Sequence, residues 1–381
     1  MVRWLIISVF LLLNASRIQA QLNNQAFFQS NPDSLPLGAC GIYIDHLNFT
    51  KNNEYFTRIT DGYTLFGFQL MPTVRYRFHP HFSLEAGAFL RKDYGISGIQ
   101  EFEPVLTARI RKGRHQILMG TLDGGLQHNL IEPFYEFENQ LISRLENGLQ
   151  WKYQGRKSTA DAWIDWRTMI YNYSPKQEEV FGGIVFSHKL IESSHFSGSF
   201  EFQGTAYHKG GQIDTIPNPL ITWFHAAPGF RISHQHASHG FFRGLGLQVF
   251  VPAFLDYSFS NKLPFNKNFS PYINLSAEFS HGTLMLSYWE SEGFQHYRGG
   301  RLYRTVSSSI HYPQLIEKRR RLIILRWLSD FKIGPDILLS TRLEPYFDLE
   351  NKFWEFSHGM YLNFRSRIRK PKTDFSHAGN Q

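Results

Sequence analysis

The chain has 381 residues, 16% of them aromatic, a formal charge of +8 and a single cysteine. One cysteine, Cys40, excludes an internal disulfide framework. The basic balance favours anionic partners but says nothing about fold, and the absence of any nucleic-acid module excludes nucleic acid as a partner.

Residues 1–20 read as a signal peptide. Arg3 supplies the positive start, Leu5 to Leu13 the apolar run, and Ile18-Gln19-Ala20 the small-residue cleavage site, so the mature chain should begin at Gln21. The run is shorter than the roughly 18 residues a spanning helix needs. No later segment could form a transmembrane helix, so a membrane form of this chain has to be a closed barrel. Residues 21–39 are polar and without periodicity, and read as a loose N-terminal segment.

From residue 40 the pattern has period 2. Gly41 to Phe49 is a weak first strand. Tyr63 to Phe78 is a strong one, with Phe66, Phe68, Leu70, Val74, Tyr76 and Phe78 alternating with small, polar and basic residues. A turn at His79-Pro80-His81 leads into Phe82 to Arg91, which sets Arg75 nearly opposite Glu85. Further hairpins follow: 105–111 with 116–122, 148–154 with 160–170, 180–191 with 197–207, 220–233 with 241–254, 271–279 with 283–290, and 321–331 with 337–345. The last strand, Lys352 to Arg365, puts Trp354, Phe356, Met360, Leu362 and Phe364 on one face, with His358 the one polar intruder. Pro72, Pro228 and Pro345 fall inside strands, where each removes a ladder bond. Arg243 and Arg326 fall at apolar parity.

The count is about sixteen strands, with 14 to 18 open. Short turns alternate with long polar connections at 50–62, 93–103, 124–146, 171–179, 208–219, 255–270 and 291–320. That rhythm belongs to an outer-membrane barrel, with short turns in the periplasm and long loops outside. The fold class expected is therefore all-β, a closed antiparallel transmembrane barrel over residues 40–366, followed by a basic periplasmic tail at 367–381.

On this alternation, loop rhythm and signal peptide, the chain resembles the Gram-negative outer-membrane β-barrels, porin-like in size. The end of the last strand, Met360-Tyr361-Leu362-Asn363-Phe364, is similar to the signal read by the barrel-insertion machinery. The chain continues past Phe364 through a tail with Arg367, Arg369, Lys370 and Lys372, where family members usually stop. The resemblance implies an outer-membrane location, a lipid bilayer as surroundings and small hydrophilic solutes as cargo.

The wet parity carries the candidate pore-lining residues. Its cations are Arg75, Arg77, Arg109, Arg111, Arg167, Arg231, Arg342 and Arg365. Its acids are Glu85, Asp161, Asp165, Glu201, Glu278, Glu344 and Glu355. A positive inner mouth would favour anions; a wall of ion pairs would simply satisfy interior charge. By analogy with sixteen-stranded porins, the connection 124–146 could fold inward as a constriction loop and bring Glu132, Glu136 and Glu138 to the wall. His234, His236 and His239 form a compact group in a turn and match no defined metal site.

No nucleophile motif or phosphate loop is visible. Asp161 and Asp165 are four apart on a strand, about 13 Å, too far for glycosidase chemistry. The expectation is a non-enzymatic outer-membrane channel without cofactor or metal. The alternatives are a barrel that anchors surface polysaccharide or a protein partner, and a barrel lipid hydrolase.

Overall fold

The computed structural model describes residues 24–28, 35–236, 240–259, 263–313 and 315–369. The expected signal peptide, His239 and the tail from residue 370 lie outside the described residues.

Eighteen strand segments form one antiparallel sheet. They are β1 (Cys40–Glu54), β2 (Tyr63–His79), β3 (Phe82–Asp93), β4 (Glu101–Lys112), β5 (His115–Thr121), β6 (Asn147–Gln154), β7 (Ser158–Thr168), β8 (Glu178–Glu192), β9 (Phe196–Gly210), β10 (Ile221–Gln235), β11 (Phe242–Phe250), β12 (Ala253–Asp256), β13 (Lys267–Phe269), β14 (Tyr272–Phe279), β15 (Gly282–Ser291), β16 (Arg320–Lys332), β17 (Ile337–Asp348) and β18 (Phe353–Arg369). β11 and β12 are halves of one stave, interrupted at Val251 and Pro252, and both pair with β10. β13 and β14 are likewise one stave, interrupted at Ser270 and Pro271. The wall thus has sixteen strands and closes where β1 pairs with β18 on one side and β2 on the other. Closure leaves no unpaired sheet edge in the bilayer.

The alternation expected on β18 is present. Trp354, Phe356, Met360 and Leu362 are exposed on the outer wall, while Glu355, Ser357 and Tyr361 are buried inside. The three prolines mark no bulge: register runs unbroken through Pro72, Pro228 and Pro345. One parity was misjudged. Arg326 does not face lipid; it is 0% exposed and points inward. Its strand is apolar on both faces, with Leu322, Ile324 and Leu328 inside and Ile323 and Leu325 outside, so hydrophobicity could not tell them apart.

Candidate functional site

Three segments fill the lumen. The connection between β5 and β6 folds inward, with Ile131, Phe134 and Leu141 buried. Gln69 Nε2 on the wall donates to the carbonyls of Gln140 at 2.9 Å and Leu141 at 2.8 Å. The Ile131 amide donates to Gln203 Oε1 at 2.8 Å. The connection between β15 and β16 follows, burying Phe294 and His296; His225 Nε2 donates to the Gln295 carbonyl at 2.7 Å. A Cβ on Gly299 would collide with the Pro133 carbonyl, so only glycine lets these two loops touch. Residues 24–28 form the third segment. Phe27 packs on Phe137 and Tyr361, with ring centroids 4.9 and 5.3 Å apart. The pockets beside the inward loop hold about 10 to 20 Å³, room for about one water each. A cavity of about 330 Å³ lies at the periplasmic mouth, between Tyr43, Asp45, Thr73 and Arg365.

The residues singled out from the sequence stand around this filling. Arg75 Nε lies 2.7 Å from Glu85 Oε2. Arg77 donates to the carbonyls of Leu35 and Pro80. Arg109 makes a two-pronged pair with Asp123 at 2.7 and 2.8 Å. Arg231 bonds Glu201 at 3.0 Å. Arg167 bonds Asp165 at 3.3 Å and Ser143 Oγ at 2.7 Å. Arg342 lies 3.7 Å above the Phe137 ring, and Arg365 donates to the Ala26 carbonyl at 2.7 Å. Glu344 accepts from Arg326 at 3.1 Å and from Lys51 at 3.2 Å. Glu355 Oε1 accepts the amides of Phe56 and Thr57 at 2.8 and 2.9 Å. Arg111 and Glu278 are half-buried near the periplasmic end.

In the inward loop, Glu132 meets Arg326 and Tyr303, Glu136 meets Arg301 of the other loop, and Glu138 meets Asn53 and Tyr63. Sequence reasoning missed His128. It bridges Asp161 at 2.9 Å and Glu146 at 2.8 Å and stacks on Trp163 at 3.5 Å. Burial opposes its charge, but the two carboxylates outweigh burial and hold His128 protonated up to about pH 9. These contacts match charge with charge and leave little for a solute.

The outer wall offers different chemistry. On β1 the even residues face lipid, and above Ile44 they turn polar: His46, Asn48, Thr50, Asn52 and Glu54. Near the extracellular end these join into a chain of bonds. Thr64 Oγ1 on β2 donates to Asn52 Oδ1 at 2.7 Å, and Asn52 Nδ2 donates to Glu54 Oε1 at 2.7 Å. His358, exposed on β18, sits across the ladder from Asn52. Lys92, outward on β3 beside Phe68, is half-buried one strand further on. Polar side chains on the lipid face are costly and mark function. Here a hydroxyl, an amide and a carboxylate are joined by hydrogen bonds on the outer wall, with an imidazole at the paired position of the neighbouring strand.

Comparison with solved structures places the fold among outer-membrane proteins. The chain is similar to OprD of Pseudomonas aeruginosa, at 8% identity and TM-score 0.52, with 89% of this chain and 98% of that one covered. It is similar to a loop-deleted OmpT of Vibrio cholerae, at 8% identity and TM-score 0.51, covering 86% and 99%. OccAB4 of Acinetobacter baumannii aligns at 9% identity and TM-score 0.50, covering 89% and 100%. At such identities the likeness is one of fold. No curated protein matches the sequence. The sequence profile described as Lipid A 3'-O-deacylase-type matches residues 35–371. That match overturns the expectation of a non-enzyme. The expectation rested on missing linear motifs, and groups brought together from separate strands leave none in the sequence. The chain belongs to the Lipid A 3'-O-deacylase-type family.

Proposed function

We propose that the protein is an outer-membrane ester hydrolase that works on its lipid-facing wall and removes an acyl chain from lipid A in the outer leaflet. The observation that carries this reading is the chain Thr64–Asn52–Glu54 at lipid-facing positions near the outer end of β1 and β2. The family match supports it. In the proposed reaction Glu54 takes a proton from water as its oxygen attacks the ester carbonyl. The second Nδ2 hydrogen of Asn52 donates to the developing oxyanion, while the Thr64 hydroxyl holds that amide in place through its bond to Asn52 Oδ1. The ester C–O bond breaks, and the sugar alkoxide receives a proton from His358 or from the protonated Glu54. Lys92 and the exposed Lys352 flank the site as cations for phosphate groups of the substrate. Export through a signal peptide cleaved after Ala20, and insertion through β18, complete the reading.

The test is the lipid A of cells that express the protein, compared by mass spectrometry with cells expressing Glu54→Gln. Loss of one acyl chain with the wild type and its retention with the variant is the expected result. Unchanged lipid A in cells with folded wild-type protein would sink the proposal.

A channel for small hydrophilic, anionic solutes is the second reading, favoured by a sixteen-strand wall of porin size. The filled lumen weighs against it.

A further inference from the structure

At the opposite end of the wall, a second polar group faces lipid. Ser158 opens β7 and His188 stands across from it on β8. Ser158 Oγ lies 2.7 Å from His188 Nδ1. Both share the outward parity of Ile164 and Trp166, whereas Asp161 and Trp163 point into the lumen. The same face of the two preceding strands carries His115, Trp151 and Tyr153. Trp151 Nε1 donates to His115 Nδ1 at 3.3 Å, and the His115 and Tyr153 rings are 5.0 Å apart. Aromatic rings with a polar edge settle at the level of lipid headgroups.

Just below lie the turns after β4 and β6, with Lys112, Arg114, Arg156 and Lys157, all exposed. A backbone bond joins these turns, the Gln154 amide donating to the Arg114 carbonyl at 2.9 Å, and another ties the second turn to β8, the Lys189 amide donating to the Lys157 carbonyl at 2.8 Å. Lumenal Arg75, Arg77, Arg109, Arg167, Arg231, Arg342 and Arg365 have carboxylate, carbonyl, hydroxyl or ring partners. Among the described residues no ion pair involves these four, and the adjacent acid, Glu192, is bound to Lys189. Four cations within reach of one another act together at physiological salt.

We propose that this sector of the periplasmic rim is a binding site for an anionic phospholipid of the inner leaflet. Ser158 and His188 hold the phosphate oxygens, the four turn cations supply the charge preference, and Trp151 and Tyr153 flank the glycerol backbone. The site binds and does not cleave: His188 meets Ser158 and the Phe186 ring, and among the described residues no carboxylate orients it as a base.

The experiment is native mass spectrometry of the full-length protein in detergent, titrated with phosphatidylglycerol or phosphatidylcholine of identical chains. Wild type should bind phosphatidylglycerol at least tenfold more tightly. The combined variant Lys112→Gln, Arg114→Gln, Arg156→Gln, Lys157→Gln should bring the ratio close to one. Arg156→Gln with Lys157→Gln, confined to one turn, should lower it part of the way and guards against a folding defect in the larger variant. Ser158→Ala with His188→Phe should weaken phosphatidylglycerol several-fold. Millimolar inorganic phosphate should leave the lipid bound. Equal affinities in the wild type, an unchanged ratio in the combined variant, displacement by phosphate alone, or fatty acid released from phosphatidylglycerol would each overturn the proposal.

Discussion

Arg326 on β16 bonds Glu132 of the inward loop, and its Nε bonds Glu344 on β17 at 3.1 Å. One fully buried guanidinium therefore ties the barrel wall to its filling. Among the described residues, Arg326→Ala would leave half-buried Glu132 with Tyr303 alone and buried Glu344 with Lys51 as its one cation. Breaking a buried pair from one side costs about 3–5 kcal/mol. The loss should appear as a lowered midpoint of heat-modifiable migration and of urea unfolding. A shift equivalent to under about 1 kcal/mol, the value of a solvated pair, would show that water reaches this network.

The pair Arg75 and Glu85 makes the same point at the periplasmic end. From the sequence it belonged to a wet wall, where Arg75→Ala costs about 0–1 kcal/mol. In the structure the two are only 4% and 6% exposed, and the Arg75 guanidinium lies 4.2 Å from the Tyr43 ring centre. The expected loss rises to about 3–5 kcal/mol, measurable by urea unfolding in detergent.

His128 gives the filling a pH dependence. Its folded value of about 9 lies above its ordinary 6.5, so its contribution is complete below pH 6.5 and is lost as pH rises through 9. Glu146 is held down at about 2 despite its burial, by His128 and Arg298. Its contribution is complete above its ordinary 4.5 and is lost as pH falls through 2. The inward loop should thus be held most tightly between about pH 4.5 and 6.5. Hydrogen exchange of residues 124–146 should accelerate towards pH 9.5 in the wild type. In His128→Gln exchange should be fast already at pH 6 and, after correction for intrinsic rates, flat. An equal alkaline acceleration in that variant would refute the assignment.

The filled lumen predicts little or no steady conductance in a planar bilayer. Deleting residues 125–145 together with 293–304 of the second inward connection should open the barrel and give discrete ion-conducting steps. Large steady currents from the wild type would restore the channel reading.

The wall was legible in the sequence because lipid on one side enforces period 2, as β18 displays from Trp354 to Leu362. The filling was legible only in part. Analogy with porins turned the connection 124–146 inward and brought Glu132 to the wall, but nothing marked residues 24–28 or the connection between β15 and β16 as filling, and Arg326 sits in a strand apolar on both faces because its inner face covers that filling. The outer-wall site escaped for a related reason. β1 seemed to end at Phe49, since Thr50, Asn52 and Glu54 at lipid-facing parity look like loop residues. The usable signal was the parity itself: it continues unbroken from Asn48 to Glu54 while the chemistry changes.

In the proposed reaction Glu54 activates water on the outer wall. Purified protein should be incubated with lipid A in mixed micelles made with ¹⁸O-labelled water, and the released fatty acid weighed by mass spectrometry. One ¹⁸O atom is expected in the released acid, with a loss of at least about 100-fold in rate for Glu54→Gln and the variant still heat-modifiable. Release at wild-type rate by Glu54→Gln, or no release by folded wild-type protein, would contradict it.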